Sequence, residues 1–294
     1  MIIGYFADGP WSHRALDKLL DRESLTVAFI CARFDKPDRQ LEAVAKKNQI
    51  PFLHHKNINS IEFLSGIEHF NCDLFVSMSF NQILKKETIE KPPLGTINCH
   101  AGKLPFYRGR NILNWALIND ESEFGITVHY LDSGIDTGDI ILQECFPITD
   151  SDDYGTLLYR AYEGCADLLD RAIGEILAGK VVRKPQANIH PLGFYCTSRG
   201  EGDERINWQQ TSRRIFNFVR AICPPGPSAR CFLGNEEIRI NRVEFLADAP
   251  SYIGIPGAVL AKDGDSFLVK TLDSFIRVVD WKANAKIRVG DRLI

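Results

Sequence analysis

The chain has 294 residues, of which 45% are hydrophobic and 25% charged, with a formal net charge of −3. That is room for one large domain or two, with the composition of an ordinary globular protein rather than a disordered or fibrous one. No apolar run approaches the length of about 18 residues needed to cross a bilayer, so no membrane association is expected.

Met1-Ile2-Ile3-Gly4-Tyr5-Phe6 reads as a first strand rather than a secretory signal, because it lacks a basic lead and a long apolar stretch. Asp8-Gly9-Pro10 ends it, and Ser12 to Leu20 has helical spacing, so the first turn offers a helix N-terminus, a ready anion site. A β-rich run at Thr26 to Cys31 and a helix near Arg39 to Asn48 follow. Asp73 to Ser77 and Thr96 to Cys99 read as buried strands, Arg110 to Ile118 as a helix, and Gly125 to Leu131 and Asp139 to Cys145 as further strands. A long helix is expected from about Tyr154 to Leu177. Short apolar strands alternating with helices argue for a mostly parallel α/β sheet.

The texture changes after Gly193. Ser198-Arg199-Gly200-Glu201-Gly202-Asp203 is polar and glycine-rich, Ser212 to Ala221 is an amphipathic helix stopped by Pro224-Pro225, and the remainder has period-two segments with frequent turns. The expected division is a catalytic domain over 1–192, a linker over 193–204 and a small antiparallel barrel or sandwich over 205–294. Residues 1–204 carry a net −8 and residues 205–294 a net +5. The eight cysteines are scattered without a C-x-x-C pair, so reduced thiols in a cytoplasmic protein, and no structural metal, are expected.

The chemistry concentrates in two segments, Ile97-Asn98-Cys99-His100 with its continuation to Gly109, and Leu131 to Asp139. Asn98 can donate to a carbonyl oxygen, His100 can shuttle protons near neutral pH, and Asp136 can orient and support the charged imidazole. That combination suits acyl transfer without a nucleophilic serine or cysteine. Cys99, between Asn98 and His100, points to the opposite strand face and is read as core. His129 is read as structural, and Leu104-Pro105 as a candidate cis peptide shaping the pocket.

The arrangement Asn98-x-His100-x-x-x-Leu104-Pro105-x-x-Arg108-Gly109, followed by Asp136-Thr137-Gly138, resembles the N10-formyltetrahydrofolate-dependent formyltransferases. Arg205-Ile206-Asn207-Trp208, Phe218-Val219-Arg220-Ala221 and Ile255-Pro256-Gly257-Ala258 are similar to the C-terminal barrel of the tRNA-directed and amino-sugar members. The resemblance implies a Rossmann-like formyltransferase domain, an OB-like second domain, and Asn98, His100 and Asp136 as the catalytic trio. It also implies a formyl-folate pocket at Gln82, Ile83 and Leu84 and at Leu131, Asp132 and Ile135. An acceptor site is implied at Gly9, Trp11 and Ser12, with Lys103, Arg108 and Arg110 beside it. Trp11 either stacks on a base or sugar or belongs to the core, and Lys103 either pairs with a diphosphate or is solvated.

The tRNA-directed members carry a longer basic insertion after the second strand, whereas this chain has only Ala32-Arg33-Phe34-Asp35-Lys36-Pro37-Asp38-Arg39 there. With the net −8 of the first part, this favours a small acceptor over a polyanion. The expectation is therefore N-formylation of a nucleotide-linked amino deoxysugar for a surface polysaccharide, with nucleic acid not expected as a partner and a homodimer expected. Methionyl-tRNA formyl transfer is the alternative, supported by the +5 second part. A scaffold without turnover and a formyl-folate hydrolase are the remaining readings.

Overall fold

The structure, a computed structural model, describes residues 1–284 and 286–294. Its strands are Ile2–Ala7 (β1), Thr26–Ala32 (β2), Phe52–His54 (β3), Leu74–Met78 (β4), Thr96–His100 (β5), Arg108–Gly109 (β6), Glu123–Tyr130 (β7), Ile140–Pro147 (β8), Tyr195–Cys196 (β9), Ala229–Leu233 (β10), Glu236–Glu244 (β11), Val259–Asp263 (β12), Ser266–Lys270 (β13) and Phe275–Lys282 (β14). The α-helices are Pro10–Leu20 (α1), Arg39–Lys47 (α2), Ile61–Gly66 (α3), Lys86–Ile89 (α4), Ile112–Ile118 (α5), Tyr154–Leu177 (α6) and Ser212–Ile222 (α7).

Seven strands form one sheet in the order β3-β2-β1-β4-β5-β7-β8. β1 lies parallel to β2 and β4, β2 to β3, and β4 to β5, while β7 runs antiparallel to β5. The chain steps outward from β1 to β3, then returns to the other flank of β1 for β4. Open α/β sheets take their ligands beyond the carboxyl ends of the strands at such a reversal. The mostly parallel sheet expected from the apolar runs is therefore present. β3 and α3 are too short to leave a periodic signal and were not anticipated.

Aromatic packing anchors this sheet. The Phe6 ring meets Phe29 and Phe75 edge-on at centroid distances of 5.6 and 5.2 Å, in a buried cluster that also holds Ile58, Phe63 and Leu84. Burying each such side chain stabilises the fold by about 2–3 kcal/mol. α1 starts at Pro10, whose missing N–H costs nothing at a helix start. α2 is capped by Asp38, whose carboxylate accepts the Gln40 and Leu41 amides.

By packing, the chain forms two compact units that interleave in sequence: residues 1–109, 124–146 and 160–196, and residues 110–123, 147–159 and 197–294. Within the second unit, Arg213 binds the carboxylates of Asp120 and Asp150, and Arg220 donates to the Thr149 carbonyl at 2.6 Å. Two stretches from earlier in the chain are thereby tied to α7. Within the first unit, β9, in the stretch read as the start of a linker, pairs with β6.

The second unit carries an antiparallel sheet in the order β10-β11-β14-β13-β12. Its two edges are joined by the last residues. Phe232 on β10 and Ile294 exchange both backbone hydrogen bonds, while Leu293 donates to Gly257 and Val259 on β12 donates to Asp291. This closes the sheet, as the expected barrel requires. Lys270 is fully buried, and its ammonium lies within hydrogen-bonding reach of the Tyr252, Thr271, Leu272 and Ser274 carbonyls at 2.8, 3.0, 3.5 and 3.1 Å. Among the described residues, no helix is long and apolar enough to cross a membrane.

Candidate active site

Strand alternation sets the first part of the site. Asn98 and His100 share one face of β5, and Cys99 points away, its thiol toward the Cys165 carbonyl on α6. Across the ladder, Asn98 sits opposite His129 and His100 opposite Thr127. The segment after β5 is fastened to β7 and β8. Thr127 Oγ1 donates to the Gly102 carbonyl at 2.7 Å, and Gln143 Nε2 donates to Leu104 O and Thr127 Oγ1, both at 2.8 Å. The Leu104–Pro105 peptide is cis.

His100 is 9% exposed, and its Nε2 lies 2.7 Å from the Tyr107 carbonyl. A carbonyl only accepts, so Nε2 carries hydrogen and a neutral ring keeps its lone pair on Nδ1. Nδ1 faces Asp136 Oδ2 at 3.7 Å, an ion-pair distance too long for a hydrogen bond. A side chain at position 102 would strike both His100 Nε2 and Tyr107 O, so this bond requires Gly102. His129 follows the same logic. Its Nδ1 donates to Tyr130 O at 2.8 Å, leaving Nε2 to accept from Asn98 Nδ2 at 3.3 Å, with Asp136 Oδ1 at 3.6 Å. His129 thus fixes which way the Asn98 amide points.

Asp136 joins the two imidazoles. Its backbone is left-handed at φ 54°, a conformation that Asp tolerates better than most residues. Oδ2 accepts the Gly109 amide at 2.9 Å. Burial pushes its carboxyl pKa up, but the attraction of His100 and His129 in their charged forms, with the hydrogen bond from the Gly109 amide, outweighs that and holds it well below the usual carboxylate range. The result is an anion, an imidazole poised to take a proton at Nδ1, and an oriented amide, the last two on one face of β5 and the first brought to it by the turn after β7.

The structure distributes the other expected residues unevenly. Leu84 is buried in the aromatic cluster and Leu131 packs against the same cluster, so two segments of the expected folate pocket meet. Ile83 and Ile135 are apolar yet exposed. Gln82 bridges the Ile58 amide and the His55 carbonyl, and Asp132 caps its own loop at Gly134 and Thr137.

The expected anion site at the first turn is corrected. The Gly9 amide already donates to Asp38 Oδ2 at 3.1 Å, and His13 meets the same oxygen at 2.9 Å. Asp8 stands next to Gly9 in the chain, so the turn is lined by carboxylates. Ser12 is fully buried and hydrogen-bonds to Gly9 O, while Trp11 packs edge-on against Tyr162 at 4.6 Å. Arg108 is also reassigned. It is buried, with Nε and Nη2 donating to Gln186 Oε1 at 3.1 and 2.7 Å and Nη1 to Leu192 O at 3.0 Å, so its charge is spent inside the protein. Lys103 is half-buried with its stem against Gly125, and Arg110 is exposed in the second unit.

Residues 2–173 match the formyl transferase family and residues 200–290 match the formyl transferase C-terminal domain. Methionyl-tRNA formyltransferase of Syntrophus aciditrophicus is 36% identical over 250 residues, covering 82% of this chain and 78% of that one. The enzyme of the same name from Citrifermentans bemidjiense is 32% identical over 291 residues, covering 95% and 88%. Among solved structures, the N-formyltransferase from Helicobacter canadensis, in complex with folinic acid and dTDP-3-aminofucose, superimposes with a TM-score of 0.70 at 21% identity, covering 96% of this chain and 98% of that one.

These relatives overturn the amino-sugar acceptor expected above. The likeness to the sugar enzyme lies in the fold, while sequence identity across most of the chain lies with tRNA-directed enzymes. Net charge summed over 204 residues misled because it does not report local potential. Two matched domains in their family order, with an amide, an imidazole and a carboxylate gathered in the first, make this chain a member of the formyl transferase family.

Proposed function

We propose that the protein transfers the formyl group of N10-formyltetrahydrofolate to the amino group of methionyl-tRNA. The observation that carries this reading is identity above 30% to methionyl-tRNA formyltransferases over most of both chains. The exposed Ile83 and Ile135, beside the packed Leu84 and Leu131, support a folate site by offering apolar contact to a flat heterocycle.

The formyl-folate supplies an activated formyl carbon. Asn98, turned by His129, donates from Nδ2 to the formyl oxygen as it gains charge, an effect of about a hundred- to a thousand-fold on rate. His100 receives at Nδ1 the proton shed by the attacking amine and returns it to the departing N10. Asp136 supports the imidazolium in between, and such proton transfer contributes about a hundred- to ten-thousand-fold. The amine gains one bond to carbon, N10 loses one, and the proton passes from the first nitrogen to the second.

The test is release of tetrahydrofolate from N10-formyltetrahydrofolate with methionyl-tRNA, uncharged tRNA, other primary amines or no acceptor. Release only with methionyl-tRNA is expected. Release with a different amine, or without any acceptor, overturns the reading.

A further inference from the structure

Gln186 lies in a single 3₁₀ turn, 50 residues beyond Asp136, and belongs to no motif. It is 3% exposed, and both ends of its amide are fully engaged. Oε1 accepts Arg108 Nε and Nη2 at 3.1 and 2.7 Å, which fixes the amide's orientation because a guanidinium only donates. Nε2 then donates both its hydrogens, to the Asp136 and Gly138 carbonyls, each at 2.8 Å. The two carbonyls flank the left-handed turn that aims the Asp136 carboxylate at His100 and His129. Gly138 leaves the turn little room to move, since a side chain there would collide with the Tyr130 carbonyl.

We propose that Gln186, oriented by Arg108, is a positioning residue that holds the Asp136 turn and so sets the alignment of the carboxylate with the two imidazoles. This rests on the catalytic role proposed for Asp136. Arg108 thereby acts as the clamp on a buried amide, and the Arg-Gly step in the chain places it one residue from the amide that Asp136 accepts.

Gln186→Glu isolates the effect. The glutamate keeps the acceptor for Arg108 but loses the donor to both carbonyls. Expected is a loss of about ten- to a hundredfold in kcat, the scale of a small misplacement of a catalytic group, with KM for the formyl donor changed by less than about twofold. In an Asp136→Asn background the same change should cost nothing further, because neighbours acting through one group are not additive. The Gly109 amide, which donates to Asp136, should exchange with solvent about tenfold faster in hydrogen–deuterium exchange of its peptide. Should Gln186→Glu lower the melting temperature, the uncharged, near-isosteric Gln186→Met is measured in its place. Unchanged kcat, losses that multiply with those of Asp136→Asn, or wild-type exchange at Gly109 would overturn the proposal. If the wild-type enzyme forms no formylmethionyl-tRNA, the function reading fails instead, and Gly109 exchange alone decides the role of Gln186.

Discussion

The Asn98–His100–Asp136 corner and the Lys270 cage both bury polar groups, and they treat them oppositely. Around Lys270, four carbonyls surround one ammonium and the Tyr252 ring lies 4.2 Å from its nitrogen. Nothing there is left for a ligand. At the corner, His100 Nδ1 stands 3.7 Å from Asp136, short enough for attraction and too long for a hydrogen bond. Asn98 directs Nδ2 to His129 at a loose 3.3 Å. Saturation makes a strut, whereas incomplete engagement leaves donors and acceptors for a substrate.

The comparison breaks most visibly at His100. His100→Ala should lower turnover by about a hundred- to ten-thousand-fold, with far-ultraviolet dichroism unchanged; turnover within a few-fold of wild type would mean that the corner is structural too. Lys270→Met should do the reverse. Orphaning carbonyls that an ammonium had satisfied costs about 3 kcal/mol, read as a lower midpoint in urea unfolding, with turnover per folded molecule retained. A midpoint equal to wild type would show that the cage contributes little.

The smallest effect sharpens the contrast through pH. The folded-state pKa of Asp136 is depressed below its ordinary 3.8, so its stabilisation is fully present above that value and is lost as pH falls through the lowered one. The stability gap between wild type and Asp136→Asn should therefore hold steady from neutral pH to about 5 and shrink below about 4. A gap that already closes between pH 7 and 5 would contradict the anionic assignment.

Much of this was legible in the chain. Apolar runs separated by helical spacing announced the sheet, and Asn98, His100 and Asp136 stood in recognisable company. His129 was visible only as a strand residue. Its contact with Asn98 depends on the register of two antiparallel strands, which no local pattern encodes. Gln186 lies in an irregular stretch where periodicity says nothing, and its use is decided wholly by what folds against it. Arg108 carried the opposite error. A cation in a motif suggested a ligand, and only its burial against Gln186 showed that its partner was internal. The Gly9 turn failed similarly, since Asp38 reaches it from 29 residues away.

One feature of the second unit bears on how the protein is handled. The closing residues Asp291 to Ile294 join the free edges of both β10 and β12 at once. Trimming Leu293 and Ile294 would unclasp the β10 border, leaving the Phe232 amide and carbonyl unpaired and able to recruit a strand from another molecule, while Val259 on β12 keeps its bonds to Gly290 and Asp291. A shortened chain would therefore be prone to polymerise, with its formyl-transfer chemistry still in place.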